Sequence, residues 1–135
     1  IGWHFCFGNA WGNDILSGTY PEGYQTVLPY LFGTAGIDEF VLDYANRDMA
    51  GVDFLKNLPA NQGIQCGVLD IRTNAIESPA KVADRIRKVV RAVPADKVTL
   101  STDCGMNPLA RMVAKMKLNA LAEGAAIVRK EVAGV

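Results

Sequence analysis

Neither sign of charge is in excess in this 135-residue chain: 14 Lys and Arg stand against 14 Asp and Glu. A neutral surface makes no broad field with which to hold a polyanion or an anionic bilayer, which excludes nucleic acid and membrane as principal partners. No uninterrupted apolar run approaches the ~18 to 20 residues that a membrane span needs, and the first residues lack the basic stretch, apolar run and cleavage site of a secretory signal. The expectation is a water-soluble, cytoplasmic protein. Low-complexity stretches and linkers are also missing. Cysteine is scarce, with three residues at scattered spacing, an odd number that makes no disulfide framework. Histidine occurs once. The chain opens on Ile1, and its first residues, IGWHFCFGN, read as the end of a strand entering a loop, which implies that something precedes them.

What is present is an apolar half: hydrophobic residues make up 50% of the chain, enough for one domain with a sizeable core. Three apolar runs each end on an acidic residue, at Phe40-Val41-Leu42-Asp43, Cys66-Gly67-Val68-Leu69-Asp70 and Val98 to Thr102 followed by Asp103. Short aliphatic runs of this kind predict strands buried on both faces, as in a parallel sheet. Between them lie helical patterns. Ser78 to Val93 places Val82, Ile86, Val89, Val90 and Val93 on one face, with Ser78 suited to the N-cap and Pro79 to the first turn, while Lys81, Asp84, Arg85, Lys88 and Arg91 read as a solvated face. A second long helix is expected from about Pro108 to Glu131, with Leu109, Met112, Val113, Met116, Ala120 and Ile127 toward the core and Gly124 to Ala126 allowing a close approach. Tyr24 to Phe32 and Val52 to Leu58 have helix-compatible spacing, and TYPEGY and LPANQG read as turns. Strand and helix therefore alternate four times at about thirty residues per unit, which predicts an α/β fold, half of an eight-stranded (β/α)8 barrel.

His4, Cys6, Asp43, Asp70, Asp103 and Cys104 all fall where a strand gives way to its loop. The carboxyl ends of parallel strands form the ligand-binding face, so these residues are predicted to converge. Imidazole, thiolate and carboxylate are the donors that zinc prefers, and His4, Cys6, Asp43 and Cys104 supply them. Residues two apart in an extended segment face one way, so His4 and Cys6 can address one ion. Taken singly, a buried cysteine is ordinary core and a lone histidine ordinary hydrogen bonding; as a set at strand ends they favour a metal. Cys66 lies too far back in its strand and is assigned to the core. Asp70 and Asp103 are read either as substrate or metal-supporting groups or as loop hydrogen-bond acceptors, and Arg72 either as the holder of an anionic substrate group or as an exposed loop residue.

The segments HFCFGN, FVLDYANRDM, GVLDIRTNAIES with VADRIRKV, STDCGM and KLNALAEGAAIVR, in that order, resemble the C-terminal catalytic region of cobalamin-independent methionine synthase and its zinc-dependent relatives over nearly the whole chain. HFCFGN and LDYANRDM are more similar to the short, single-barrel relatives. The resemblance implies Zn2+ as cofactor, with His4, Cys6, Asp43 and Cys104 at the ligand positions. It implies an activity like that of 5-methyltetrahydropteroyltriglutamate–homocysteine S-methyltransferase, moving a methyl group from methyl-folate or a methyl-corrinoid protein to homocysteine and so forming methionine. Asp43 stands where the family has Glu, and Arg72 where methionine synthases have His. Alternatives carried from the same resemblance are alkylation of another small thiol, such as coenzyme M by an epoxide, and a non-catalytic half-barrel. Only the last four strands of the barrel are matched, so the chain is expected either to be a fragment lacking its N-terminal half or to complete its fold as a homo-oligomer.

Overall fold

A computed structural model describes residues 1–8 and 23–134. Four strands alternate with helical segments: β1 Gly2–Phe5, α1 Leu28–Leu31, β2 Glu39–Asp43, β3 Gly63–Leu69, α2 Pro79–Ala92, β4 Val98–Thr102 and α3 Arg111–Ala133. All neighbours pair in parallel, in the sheet order β1-β2-β3-β4. A sheet that adds each strand beside the last, with no reversal of order, is the winding of a β/α barrel rather than of a doubly wound sheet. Four of its eight units are present, as the residue pattern predicts. Among the described residues no helix is long and apolar enough to cross a membrane.

The described parts of the first two crossovers are thinner than the pattern suggests. Tyr24 to Phe32 forms a 3-10 turn at Gly23–Thr26 and the single turn of α1, and Val52–Asn57 is a 3-10 segment. The turn expected around residues 19–22 lies outside the described residues. α2 begins as anticipated: the Ser78 hydroxyl accepts from Lys81 N at 3.2 Å and Pro79 occupies the first turn. Phe40, Leu42, Ile64, Cys66, Val68 and Leu69 from the central strands meet Val82, Ala83, Ile86 and Val89 of α2 in one core. Cys66 is core, as assigned, and burial pushes its thiol far above the usual range.

α3 corrects the expected face. Met112 and Met116 are 68% and 47% exposed, and Ile127 is exposed as well, while Lys117, Ala120, Gly124, Ala125 and Val128 are buried. The small residues win because α3 approaches α2 closely: a Cβ on Gly124 would lie 2.8 Å from Val82 Cβ and 3.0 Å from the Pro79 carbonyl. Larger side chains are turned out of that contact. The long helix also starts at Arg111 rather than near Pro108, and it runs through Gly124 without a break. An apolar groove of about 640 Å³ lies between α2, α3 and β4, lined by Ile86, Val90, Leu100, Leu121 and Val128, and none of the strand-end polar residues borders it.

Candidate metal centre

β1 and β4 are the outer strands, three inter-strand spacings apart, which on a flat sheet is about 14 Å. Yet one donor atom from each of His4, Cys6 and Cys104 comes within 4.8 Å of the others. The sheet therefore curls, and its curl turns the carboxyl ends of β1 and β4 toward one another. His4 is exposed on β1, and Cys6 and Cys104 are half-buried in the loops just beyond β1 and β4. Two thiolates bound to one zinc at about 2.3 Å each lie no more than about 4.6 Å apart. The cluster is of that size, its donor types are those zinc takes, and its open side faces solvent, so these residues fit the ion. Burial, followed by the electrostatic effects of Cys104 and Asp43, raises the Cys6 thiol against the pull of the Gly8 backbone.

The structure does not bring Asp43 into this three-residue cluster. Its carboxylate is fully buried and bound elsewhere: Arg72 Nη2 donates to it at 2.7 Å, Phe7 N at 3.3 Å, and the Tyr24 hydroxyl also donates to it. Burial, and after it the adjacent Asp43 charge, drives the Tyr24 phenol far above its ordinary range, so it stays a donor. Through Phe7 N, Asp43 fixes the residue that follows Cys6. Phe7 is packed besides against Tyr24, with ring centroids 4.7 Å apart, and under the Arg47 guanidinium at 4.4 Å.

Asp103 does the corresponding work beside Cys104. Its carboxylate, from a residue 1% exposed, accepts from the backbone N–H groups of Tyr44, Ala45 and Asn46 at 3.1, 2.9 and 2.8 Å, tying the end of β4 to the loop after β2. Burial pushes Asp103 up to about 7, opposed by the N–H donors of Ala45 and Asn46, reinforced by Asp43 and opposed by Arg72. Buried and enclosed by these donors, it is placed to hold a loop rather than to touch a substrate. Asp70 accepts from Arg72 N at 2.9 Å within its own loop and is half-buried. Of the two carboxylates it is the one with a face toward solvent.

Arg72 is neither exposed nor available to an anionic substrate. Its side chain is 7% exposed and reaches Asp43, Asp103 (Nη1 to Oδ2, 3.4 Å) and the Gly8 carbonyl (2.9 Å). The loop that carries it is held by a buried cluster that the residue pattern concealed. Glu77 accepts from Asp70 N at 2.9 Å, Arg85 at 3.2 Å and Lys117 at 2.7 Å; Lys117 also donates to the Ala75 carbonyl at 2.5 Å and Arg85 to the Val68 carbonyl at 2.8 Å. Arg85 thus does not belong to the solvated face of α2. Lys117 carried a signal, since it falls in helical register with Ala120, Gly124 and Val128.

A curled parallel sheet with two cysteine thiols and an imidazole converging at the carboxyl ends of its outer strands has the layout of part of a β/α barrel with a candidate metal centre at its ligand-binding face. Residues 28–127 match the family described as cobalamin-independent synthase, catalytic domain, and the chain belongs to that family. It is 43% identical over 104 residues to the 2-hydroxypropyl-CoM lyase of Xanthobacter autotrophicus, covering 73% of this chain and 28% of that protein. To the methionine synthase of Thermococcus kodakarensis it is 33% identical over 133 residues, 98% of this chain and 35% of the other. The B12-independent methionine synthase of Shewanella sp. W3-18-1, solved in complex with selenomethionine, superposes with a TM-score of 0.84 at 33% identity over 99% of this chain and 40% of that one. The chain thus spans roughly a third of the length of these curated relatives.

Proposed function

We propose that the chain is the metal-binding C-terminal half of a barrel enzyme that alkylates a thiol, with His4, Cys6 and Cys104 holding Zn2+. The convergence of those three donors from opposite edges of the sheet carries the reading. A zinc ion held there acts as a Lewis acid that favours the thiolate form of a substrate thiol. The chain's own residues do the positioning: Asp43 and Asp103 fix the loops of the two cysteines, and half-buried Asp70 is the carboxylate assigned to a substrate amine. The sulfur lone pair attacks the electrophilic carbon, the bond from that carbon to the donor breaks, and the thiol proton leaves through the open side of the cluster. The thiol is homocysteine and the product methionine, with the methyl group supplied by a methyl-folate or a methyl-corrinoid protein. Free thiolates call for a reducing compartment, which the cytoplasm supplies.

A second reading, alkylation of another small thiol such as coenzyme M, is favoured by the 43% identity to the 2-hydroxypropyl-CoM lyase. The test is product analysis by mass spectrometry. Zinc-loaded protein is given homocysteine with methyl-tetrahydrofolate or methylcobalamin, and coenzyme M with epoxypropane. Methionine in either of the first two reactions supports the first reading, and alkylated coenzyme M supports the second. No product in any of them from the zinc-replete enzyme with both halves of its barrel overturns both.

A further inference from the structure

We propose that Arg72 is a positioning residue that sets the metal's ligand set: it withholds the Asp43 carboxylate and ties together the two thiolate loops, leaving three protein ligands and an open position for the incoming thiol. This rests on the zinc reading above and adds to it the reason that a carboxylate at a ligand position does not coordinate.

The geometry is that of a clamp. From one guanidinium, hydrogen bonds run to Gly8 O, two residues beyond Cys6, to Asp43, which holds the Phe7 N–H, and to Asp103, which immediately precedes Cys104. Both cysteine loops are therefore referenced to the same planar fork, and a lysine, with a single point of charge, cannot make the same set. Asp43 is also one methylene shorter than a glutamate; the Tyr24 hydroxyl donates to its Oδ1, and Phe7 N–H shares its Oδ2 with Arg72. Releasing it toward the metal would leave the buried guanidinium short of its partner, which is costly.

Charge counting gives the consequence. Two thiolates neutralise Zn2+, so a centre of His4, Cys6 and Cys104 is neutral and attracts a further thiolate. With Asp43 added it would be anionic and its fourth position filled. A cation at position 72 thus favours thiol entry, by leaving the place open rather than by touching the thiol.

The test is optical titration of purified protein with Co2+ in place of zinc, followed by titration with 2-mercaptoethanol, which binds as the thiolate and releases its proton to buffer. The unsubstituted protein should gain a further sulfur-to-cobalt band with thiol; Asp43→Asn, which keeps an oxygen to accept from Phe7 N and Arg72 but removes the charge that Arg72 faces, should keep the sulfur-to-cobalt bands of both cysteines with at most a small shift and should gain the same further band. Arg72→Gln should weaken thiol uptake by about tenfold or more, and Asp43→Asn added to Arg72→Gln should restore the part owed to the withheld carboxylate but not the part owed to the tie between the loops, which a merely structural arginine would not allow. The clamp is overturned if Asp43→Asn alone changes the cobalt spectrum as Cys104→Ser does, if Arg72→Gln leaves thiol uptake unchanged, or if the double substitution takes up thiol no better than Arg72→Gln. If the unsubstituted protein takes up no Co2+, the metal reading itself falls, and the clamp with it.

Discussion

Gly67→Ala tests the coupling between sheet and site most sharply. Gly67 sits in β3 opposite Asp43 of β2 and Ser101 of β4, at a register shift in the β3–β4 ladder. A Cβ there would lie 2.5 Å from Asp103 Oδ1, 2.8 Å from Asp103 Cα and 3.1 Å from Asp103 N. Two of those three atoms are backbone, so no rotation of the aspartate relieves the clash; the segment itself must move by something on the order of an ångström. Overpacking of this kind costs about 1 to 3 kcal/mol. The same movement stretches the hydrogen bonds by which Asp103 holds the N–H groups of Tyr44, Ala45 and Asn46, and losing one bond to a charged group costs about 1.5 to 3 kcal/mol. The smaller conformational freedom of alanine in the unfolded chain returns less than about 1 kcal/mol. The expected loss is roughly 3 to 5 kcal/mol, read as a lower urea midpoint at unchanged slope. A loss under about 1 kcal/mol would refute the claim that Asp103 is rigidly placed by close backbone contact.

Glu77→Gln should destabilise the protein by about 3 kcal/mol at neutral pH, because fully buried Lys117 loses its counter-charge. Burial would raise Glu77, but the Lys117 ammonium and the backbone N–H of Asp70 outweigh it and hold the carboxyl below its ordinary value of 4.5. A depressed native value means that this contribution is complete above 4.5 and is lost as pH falls through the native value, so Glu77→Gln should flatten the acid limb of a stability–pH curve; an unchanged limb would contradict the pairing. Gly124→Ala gains about 1 kcal/mol of helix propensity but collides with Val82, for a net loss of about 1 to 2 kcal/mol in thermal or urea unfolding. Val82→Ala in the same chain should recover part of it, and strict additivity of the two substitutions would refute the contact.

The strands and α2 were legible because each is specified locally, by aliphatic runs ending on an acid and by the Ser78-Pro79 start. The face of α3 was not. Its apolar period includes Met112 and Met116, but the burial that decides comes from the approach of Gly124 to α2, a tertiary fact. Strand-end position alone is enough to group His4, Cys6 and Cys104, which also meet in space, because the curl of a parallel sheet follows from its winding. For the carboxylates and Arg72, strand-end position tells only that a side chain is near the site. Whether Asp43 faces the cluster or Arg72 depends on which partner lies closer, and that partner comes from a loop 29 residues away. Lys117 and Arg85 were hidden for the opposite reason: charged residues on helices read as solvated until a buried acid such as Glu77 is known to face them.

The zinc content of the purified protein, set against that of His4→Ala and Cys104→Ser, bears most directly on the central claim. The account predicts stoichiometric zinc in the unsubstituted protein and its loss from both variants while each remains folded by circular dichroism. Substoichiometric zinc in the unsubstituted protein, or full retention by Cys104→Ser, would contradict it.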